Sequence, residues 1–164
     1  MIQSYPHVIE PDLTVAISKW QFGDYSSCFP IIKRHAQKNN AHAQFIMGSS
    51  FYTQFGLPKD LDQAVYWLER AVENGHPIAP LHLAMLVDPA NELAEEKRVS
   101  AEKAERHYQL GFERCKTGAE AGNAHLMAAL AGCYSLGLGT ERDQALAEKW
   151  GAEARAAGYR WPVA

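Results

Sequence analysis

The chain has little cysteine and no cluster of basic residues. Its 164 residues include three cysteines, Cys28, Cys115 and Cys133, which are odd in number and have no CxxC spacing. This usage favours buried, reduced thiols over a disulfide framework. The formal net charge is −3, and Lys and Arg are scattered singly. A phosphate backbone would meet no positive field, so we expect no nucleic-acid partner.

Long apolar runs are also missing. The longest apolar stretches, such as 126–131, are far shorter than the roughly 20 residues that a membrane-spanning helix needs. The N-terminal sequence MIQSYPHVIEPDLT lacks the basic start and apolar run of a signal peptide. We therefore expect no membrane partner, an unprocessed N-terminus and a cytoplasmic location.

What is present is the composition of a folded protein. The chain is 47% hydrophobic and 21% charged, which is far from the composition of disordered chains. Its length suits one domain or one short repeat array, with enough residues to bury a continuous core. We expect the whole chain to fold without a metal or a disulfide to stabilise it.

Three segments of ten residues resemble one another. They are 39–48, 75–84 and 122–131. Each opens with a turn-forming or small residue and carries a small residue nine positions later: Gly48, Ala84 or Ala131. Apolar residues between these points recur every four positions, which is typical of a helix. The chain therefore contains an internal repeat, and its period decides the architecture.

The second half of the unit repeats as well. Asp60, Ala64, Trp67, Ala71 and Gly75 have the same spacing as Asp143, Ala147, Trp150, Ala154 and Gly158. The period is 36 residues from 39 to 75 and from 122 to 158, but the middle unit carries 11 more, near 88–100. Each unit is predicted to be a helical hairpin, with Asp60, Ser100 and Asp143 as helix N-caps.

The predicted helices cover most of the chain. They are about 12–21, 25–38, 41–54, 60–74, 77–87, 100–121, 123–136 and 143–157. Small residues such as Gly48 are expected to let the two helices of a hairpin approach closely, while Met47 and Trp67 fill the space between hairpins. One hairpin cannot bury this face alone, so the hairpins must stack.

The repeat resembles the Sel1-like repeat family, which is related to tetratricopeptide repeats. The family arrangement A-x3-LG-x2-Y-x2-G-x-GV-x2-D-x3-A-x2-W-x3-A-x3-G is recognisable in both complete copies. Phe51 replaces the Tyr, Gln54 stands at the first turn glycine, and the middle copy loses the GxG turn. The resemblance covers 23–158 and implies an all-α solenoid of stacked antiparallel hairpins, a superhelix like that of tetratricopeptide repeats.

The resemblance also divides the chain. The units are a cap and partial repeat at 1–38, repeats at 39–74, 75–121 and 122–158, and a C-terminal cap at 159–164 that includes Trp161. The middle repeat contains the insertion near 88–100, which is expected to add a charged helical turn or two on the surface.

Seven histidines suggest a metal or catalytic site, but their spacing argues against one. His42 and His125 hold the same register position in different units, and His76 and His82 are six residues apart, which places them on different helical faces. Cys133 is about 12 Å along the helix axis from His125. Gly137 and Gly139 fit a turn better than a phosphate-binding loop. We therefore predict no catalytic residue, no metal ligand and no cofactor.

A binding surface is the remaining hypothesis. In stacked hairpins the first helices form the concave inner wall, and the side chains opposite the core residue Met47 face it. The predicted partner-binding residues are His42, Phe45, Ser49, Tyr52, Ile78, Leu81, Met85 and His125. An alternative is equally consistent with the pattern, namely that Phe45 and Leu81 pack between neighbouring hairpins.

The sequence thus predicts a non-enzymatic protein-interaction module, an adaptor or a regulator that binds another protein through its concave face, as a monomer or a weak homodimer. A second hypothesis, by resemblance to short Sel1-like arrays, is a bacterial immunity protein that neutralises a toxic effector. A third is a hydrolase, which requires clustered titratable groups that the sequence does not indicate. The partner, and the choice between adaptor and inhibitor, are not encoded in any motif.

Overall fold

The computed structural model describes residues 10–88 and 101–160. Those residues form eight α-helices and no strand. The helices are α1 Pro11–Gln21, α2 Tyr25–Gln37, α3 Ala41–Thr53, α4 Leu61–Glu73, α5 Ala79–Val87, α6 Ala101–Glu120, α7 Ala124–Leu136 and α8 Gln144–Ala156. The predicted all-α architecture is confirmed, and every helix boundary lies within two residues of its predicted position.

Each helix packs mainly on its neighbours in sequence, which is the topology of a solenoid. The hairpins are α1–α2, α3–α4, α5–α6 and α7–α8. Their first helices also meet one another, since the rings of Phe45 on α3 and His82 on α5 have centroids 4.9 Å apart. We call the surface formed by α3, α5 and α7 the inner wall.

Side-chain caps fix where the helices begin. The Asp60 carboxylate accepts a hydrogen bond from the backbone amide of Gln63 at 3.0 Å, and Asp143 accepts one from the backbone amide of Leu146 at 2.9 Å. Such a cap satisfies a backbone amide that has no partner within the helix. Both predicted Asp caps are confirmed, whereas the predicted cap at Ser100 lies outside the described residues.

The close approach within a hairpin depends on a missing side chain. A Cβ atom on Gly48 of α3 would lie 2.7 Å from Cγ of Leu68 on α4. Met47 and Trp67 are buried in the cluster that joins this hairpin to α1 and α2. The predicted roles of small and large residues are therefore confirmed here.

All three cysteines are buried and none forms a disulfide. Cys115 and Cys133 belong to one core cluster between α6 and α7. None of the described helices has the length and apolarity that crossing a membrane requires. Three predicted features lie outside the described residues: the start of the N-terminal cap, the helical turns of the insertion, and the cap that includes Trp161.

Candidate functional site

The eight predicted partner-binding residues divide into two groups. His42, Phe45, Tyr52 and Met85 are half-buried and His125 is exposed. By contrast, Ser49, Ile78 and Leu81 are 7%, 8% and 5% exposed.

The three buried side chains pack against other parts of the chain. Leu81 lies in the cluster that contains Phe112, and a Cβ on Gly111 of α6 would come within 2.5 Å of its Cδ2. The tight approach of α6 therefore covers Leu81. Leu81 also shares its cluster with Leu130 of α7, the first helix of the next hairpin, and Phe45 contacts two core clusters. Packing between hairpins, the alternative that the sequence left open, therefore describes both residues.

Aromatic rings meet where α3 faces the start of α5. The ring of His76 lies 4.2 Å from that of Phe45 and 5.4 Å from that of His42, centroid to centroid, and both pairs are stacked. The ring of His82 meets Phe45 edge-on. We call His42, Phe45, His76 and His82 the histidine cluster.

The His76 side chain accepts a backbone amide at the start of α5, as asparagine side chains do at the starts of α3 and α7. Asn40 and Asn123 hold the position of His76 in the two complete repeats. Their side chains accept hydrogen bonds from the backbone amides of Ala43 and Leu126. In His76, Nδ1 accepts the Ala79 amide at 3.1 Å. Asparagine is among the preferred capping residues, and here a ring nitrogen supplies the acceptor.

This cap determines which nitrogen of His76 carries the proton. Because Nδ1 accepts a hydrogen bond, the proton of the neutral ring is on Nε2. That Nε2 lies 3.2 Å from Nδ1 of His42 and donates to it. Both nitrogens of His76 are therefore used within the protein.

The histidine cluster is uncharged at neutral pH. Burial lowers the pKa of His42 to about 4, to which the nearby His125 contributes, and lowers the pKa of His82 to about 4. Burial also holds the pKa of His76 well below its usual range. The spacing of these histidines in the sequence did not predict that their side chains meet. One signal was available, because His76 stands where the complete repeats have a capping asparagine.

The His42 and His76 pair is unsuited to a metal ion. Ligation through Nε2 of His76 would require the proton to move to Nδ1, where it would oppose the Ala79 amide. The pair therefore acts as a hydrogen-bonded link between α3 and α5.

A different group has ligand spacing. The side-chain ligand atoms of Glu10, Asp12 and His35 lie within 4.8 Å of one another. Asp12 is already paired with His35 at 3.1 Å and with Arg34. The hydrogen bond from His35 lowers the pKa of Asp12. An adjacent guanidinium disfavours a cation, so this group is better explained as the link between α1 and α2.

Ser49 and His82 have the residue types of a nucleophile and a general base, but their surroundings do not suit catalysis. Ser49 Oγ lies 3.3 Å from Nδ1 of His82. A base with a pKa of about 4 takes up a proton poorly at neutral pH, and Ser49 is buried. The pair ties α3 to α5, and its chemistry does not favour the hydrolase hypothesis.

A cavity of about 550 Å³ opens beside the histidine cluster. It lies between the start of α3, the α4–α5 loop, the second half of α6 and the start of α7. The lining includes His42, His76, Pro77, Arg114, Asn123 and Leu126. Arg114 Nη1 donates to the carbonyl oxygens of Val72 and His76, both at 3.1 Å. It therefore links α6 to the last turn of α4 and to the α4–α5 loop.

Comparison with known proteins identifies the repeat. The model of the Sel1 repeat matches residues 41–76 and 124–159. Chitin synthase regulatory factor 4 of Schizosaccharomyces pombe is 30% identical over 100 residues, which is 57% of this chain and 15% of that protein. The match thus spans about a seventh of the length of this relative.

Solved structures share the fold. A Sel1 repeat protein from Oxalobacter formigenes aligns with a TM-score of 0.56 and 24% identity over 90% of this chain and 58% of its own. A protective antigen present in uropathogenic Escherichia coli strains, which displays an SLR fold, aligns with a TM-score of 0.54 and 22% identity over 90% and 30%. At these identities the likeness concerns the fold alone.

Proposed function

We propose that this chain, which contains Sel1 repeats at 41–76 and 124–159, is a non-enzymatic module that binds a partner protein on its inner wall. Sel1 repeat proteins generally mediate protein–protein interactions. The relative in Schizosaccharomyces pombe is named a regulatory factor, which favours a regulatory role over a purely structural one.

The observation that carries this proposal is that each of three successive first helices has an accessible side chain that is large enough to contact a partner. Tyr52 on α3 and Met85 on α5 are half-buried, and His125 on α7 is exposed. Aromatic side chains that keep part of their surface accessible are frequent anchors at protein interfaces. Accessible side chains on three successive first helices suit a partner that contacts several repeats of the array.

We further infer a reducing, cytoplasmic location and a monomer or weak homodimer. Three buried free cysteines are typical of proteins from reducing compartments. The N-terminal hairpin α1–α2 covers one side of α3 through the cluster that includes Leu13 and Ile32, so that end of the array is not left bare.

Affinity capture tests the proposal. The tagged chain is incubated with lysate of its own cells at physiological salt, and captured proteins are identified by mass spectrometry. Tyr52→Asp and His125→Asp change the inner wall. Tyr66→Asp is the matched control, because Tyr66 is 47% exposed on α4, a second helix. Thermal melting of each variant verifies that it is folded.

We expect one partner that the wild type and Tyr66→Asp capture equally and that both inner-wall variants lose at least tenfold. A partner that ignores both inner-wall changes would overturn the proposal. Once the partner is known, an assay of its activity distinguishes an inhibitor from an adaptor. An inhibitor abolishes the activity of the protein that it binds, whereas an adaptor joins two proteins.

A further inference from the structure

The cavity beside the histidine cluster is the part of the surface that could enclose a side chain of the partner. We propose that it receives one uncharged aromatic side chain of the partner. This inference rests on the proposed function and adds the chemistry of the guest.

An anionic guest is disfavoured because the helix starts at the cavity are already capped. The Ala79 amide donates to His76, and the amides of His125 and Leu126 donate to Asn123. Backbone amides of this kind would otherwise attract a carboxylate or phosphate. The described lining also contains one carboxylate, Glu113, and one guanidinium, Arg114, so it has no net positive charge to attract an anion.

A cationic guest is disfavoured by the other lining groups. The guanidinium of Arg114 forms part of the wall, held by the carbonyls of Val72 and His76. Both nitrogens of His76 are used in hydrogen bonds, so its ring offers no lone pair to an ammonium group. Among the described lining residues, Glu113 is the one carboxylate, and the positive charge of Arg114 offsets its negative charge.

The remaining surface suits a ring. The imidazoles of His42 and His76 are stacked and backed by Phe45, and Pro77 and Leu126 complete an apolar wall. Aromatic rings gain from packing on other rings and on a guanidinium beyond their burial of apolar area. A volume of about 550 Å³ lies within the range of known ligand pockets and is ample for one side chain.

Amide chemical shifts of the isotope-labelled full chain test the inference, with N-acetyl-tryptophanamide as the probe. N-acetyl-lysinamide and inorganic phosphate are the charged comparison probes. We expect saturable shifts at Gly75, Gly118 and Asn123 with the tryptophan probe. Each charged probe should bind at least tenfold more weakly.

Two variants fill the cavity and one controls for the added ring. Thr117→Trp and Ala121→Trp place an indole on exposed lining positions of α6 and its C-terminal end. Glu120→Trp adds the same ring at an exposed position outside the lining. The filled variants should weaken the probe at least tenfold, whereas Glu120→Trp should leave it unchanged. Melting temperatures verify that each variant is folded.

Equal response to the charged probes, or unchanged binding in both filled variants, would overturn the inference. The proposed function has a separate outcome. A chain that captures its partner through Tyr52 yet shows no cavity response to the tryptophan probe loses this inference and keeps the function.

Discussion

Nε2 of His76 donates a hydrogen bond to Nδ1 of His42 over 3.2 Å. The opposite nitrogen of His76 caps α5 through the Ala79 amide. One neutral ring therefore ties the start of a helix to the first helix of the preceding hairpin. This link fixes the spacing of α3 and α5, on which the inner wall and the cavity both depend.

The capping role of His76 can be separated from its packing by two substitutions. His76→Asn keeps an acceptor of the kind found at Asn40 and Asn123, while His76→Ala removes it. Both lose the stacked ring, so their difference reports the cap. We expect His76→Ala to be about 1 kcal/mol less stable than His76→Asn, measured by urea unfolding. Equal stability of the two variants would show that the ring nitrogen does not cap α5.

Stability should fall as the pH is lowered from about 6.5 towards 4. The folded pKa values of His42 and His82 are about 4, whereas the unfolded value is about 6.5. In that interval the unfolded chain binds more protons, so the free energy of unfolding decreases as pH falls. Above it, the contribution is complete.

The slope of the free energy of unfolding against pH approaches about 1.4 kcal/mol per pH unit for each histidine that is charged only in the unfolded chain. Denaturation at pH 7, 6 and 5 measures it. His82→Gln, which cannot be protonated, should reduce the slope by the share of one histidine. A slope that His82→Gln leaves unchanged would mean that His82 is already solvated in the folded protein.

The fold followed from the sequence because the repeat leaves few choices. The spacing from Asp60 to Gly75 and its copy from Asp143 fix the caps and helix lengths, and the helices matched within two residues. The candidate site did not follow in the same way. Helix periodicity places Leu81 on the side of α5 away from its own hairpin. Instead, Leu81 packs on Gly111 of α6 and lies in one cluster with Leu130 of α7, the first helix of the next hairpin. Contacts between repeats depend on how hairpins stack, which spacing within one repeat does not specify.

Leu81 and His125 should separate stability from binding. Leu81 is 5% exposed, so Leu81→Ala should cost about 2 to 5 kcal/mol by leaving a cavity. His125 is exposed, and His125→Ala should change stability by about 0.5 kcal/mol or less. Urea unfolding measures both. A cost below about 1 kcal/mol for Leu81→Ala would contradict the burial of this residue against α6.

Two helical glycines should respond differently to substitution by alanine, because only one of them lies against a neighbouring helix. Gly48→Ala places a Cβ 2.7 Å from Cγ of Leu68 and 3.0 Å from its backbone nitrogen, and should destabilise by about 1 to 3 kcal/mol. Gly132→Ala meets nothing within 4 Å on α7 and should be neutral, or stabilising by up to about 1 kcal/mol. Thermal unfolding of both proteins measures the difference. A neutral Gly48→Ala would contradict the packing of this hairpin.

Photo-crosslinking in living cells tests the inner wall most directly. A benzophenone amino acid replaces Tyr52 on α3 in one protein and Tyr66 on α4 in the other, so the same reactive group faces the two sides of one hairpin. We expect a crosslink to a single partner protein from position 52 and none from position 66. A partner crosslinked from position 66 alone would place the binding surface on the second helices and contradict the central claim.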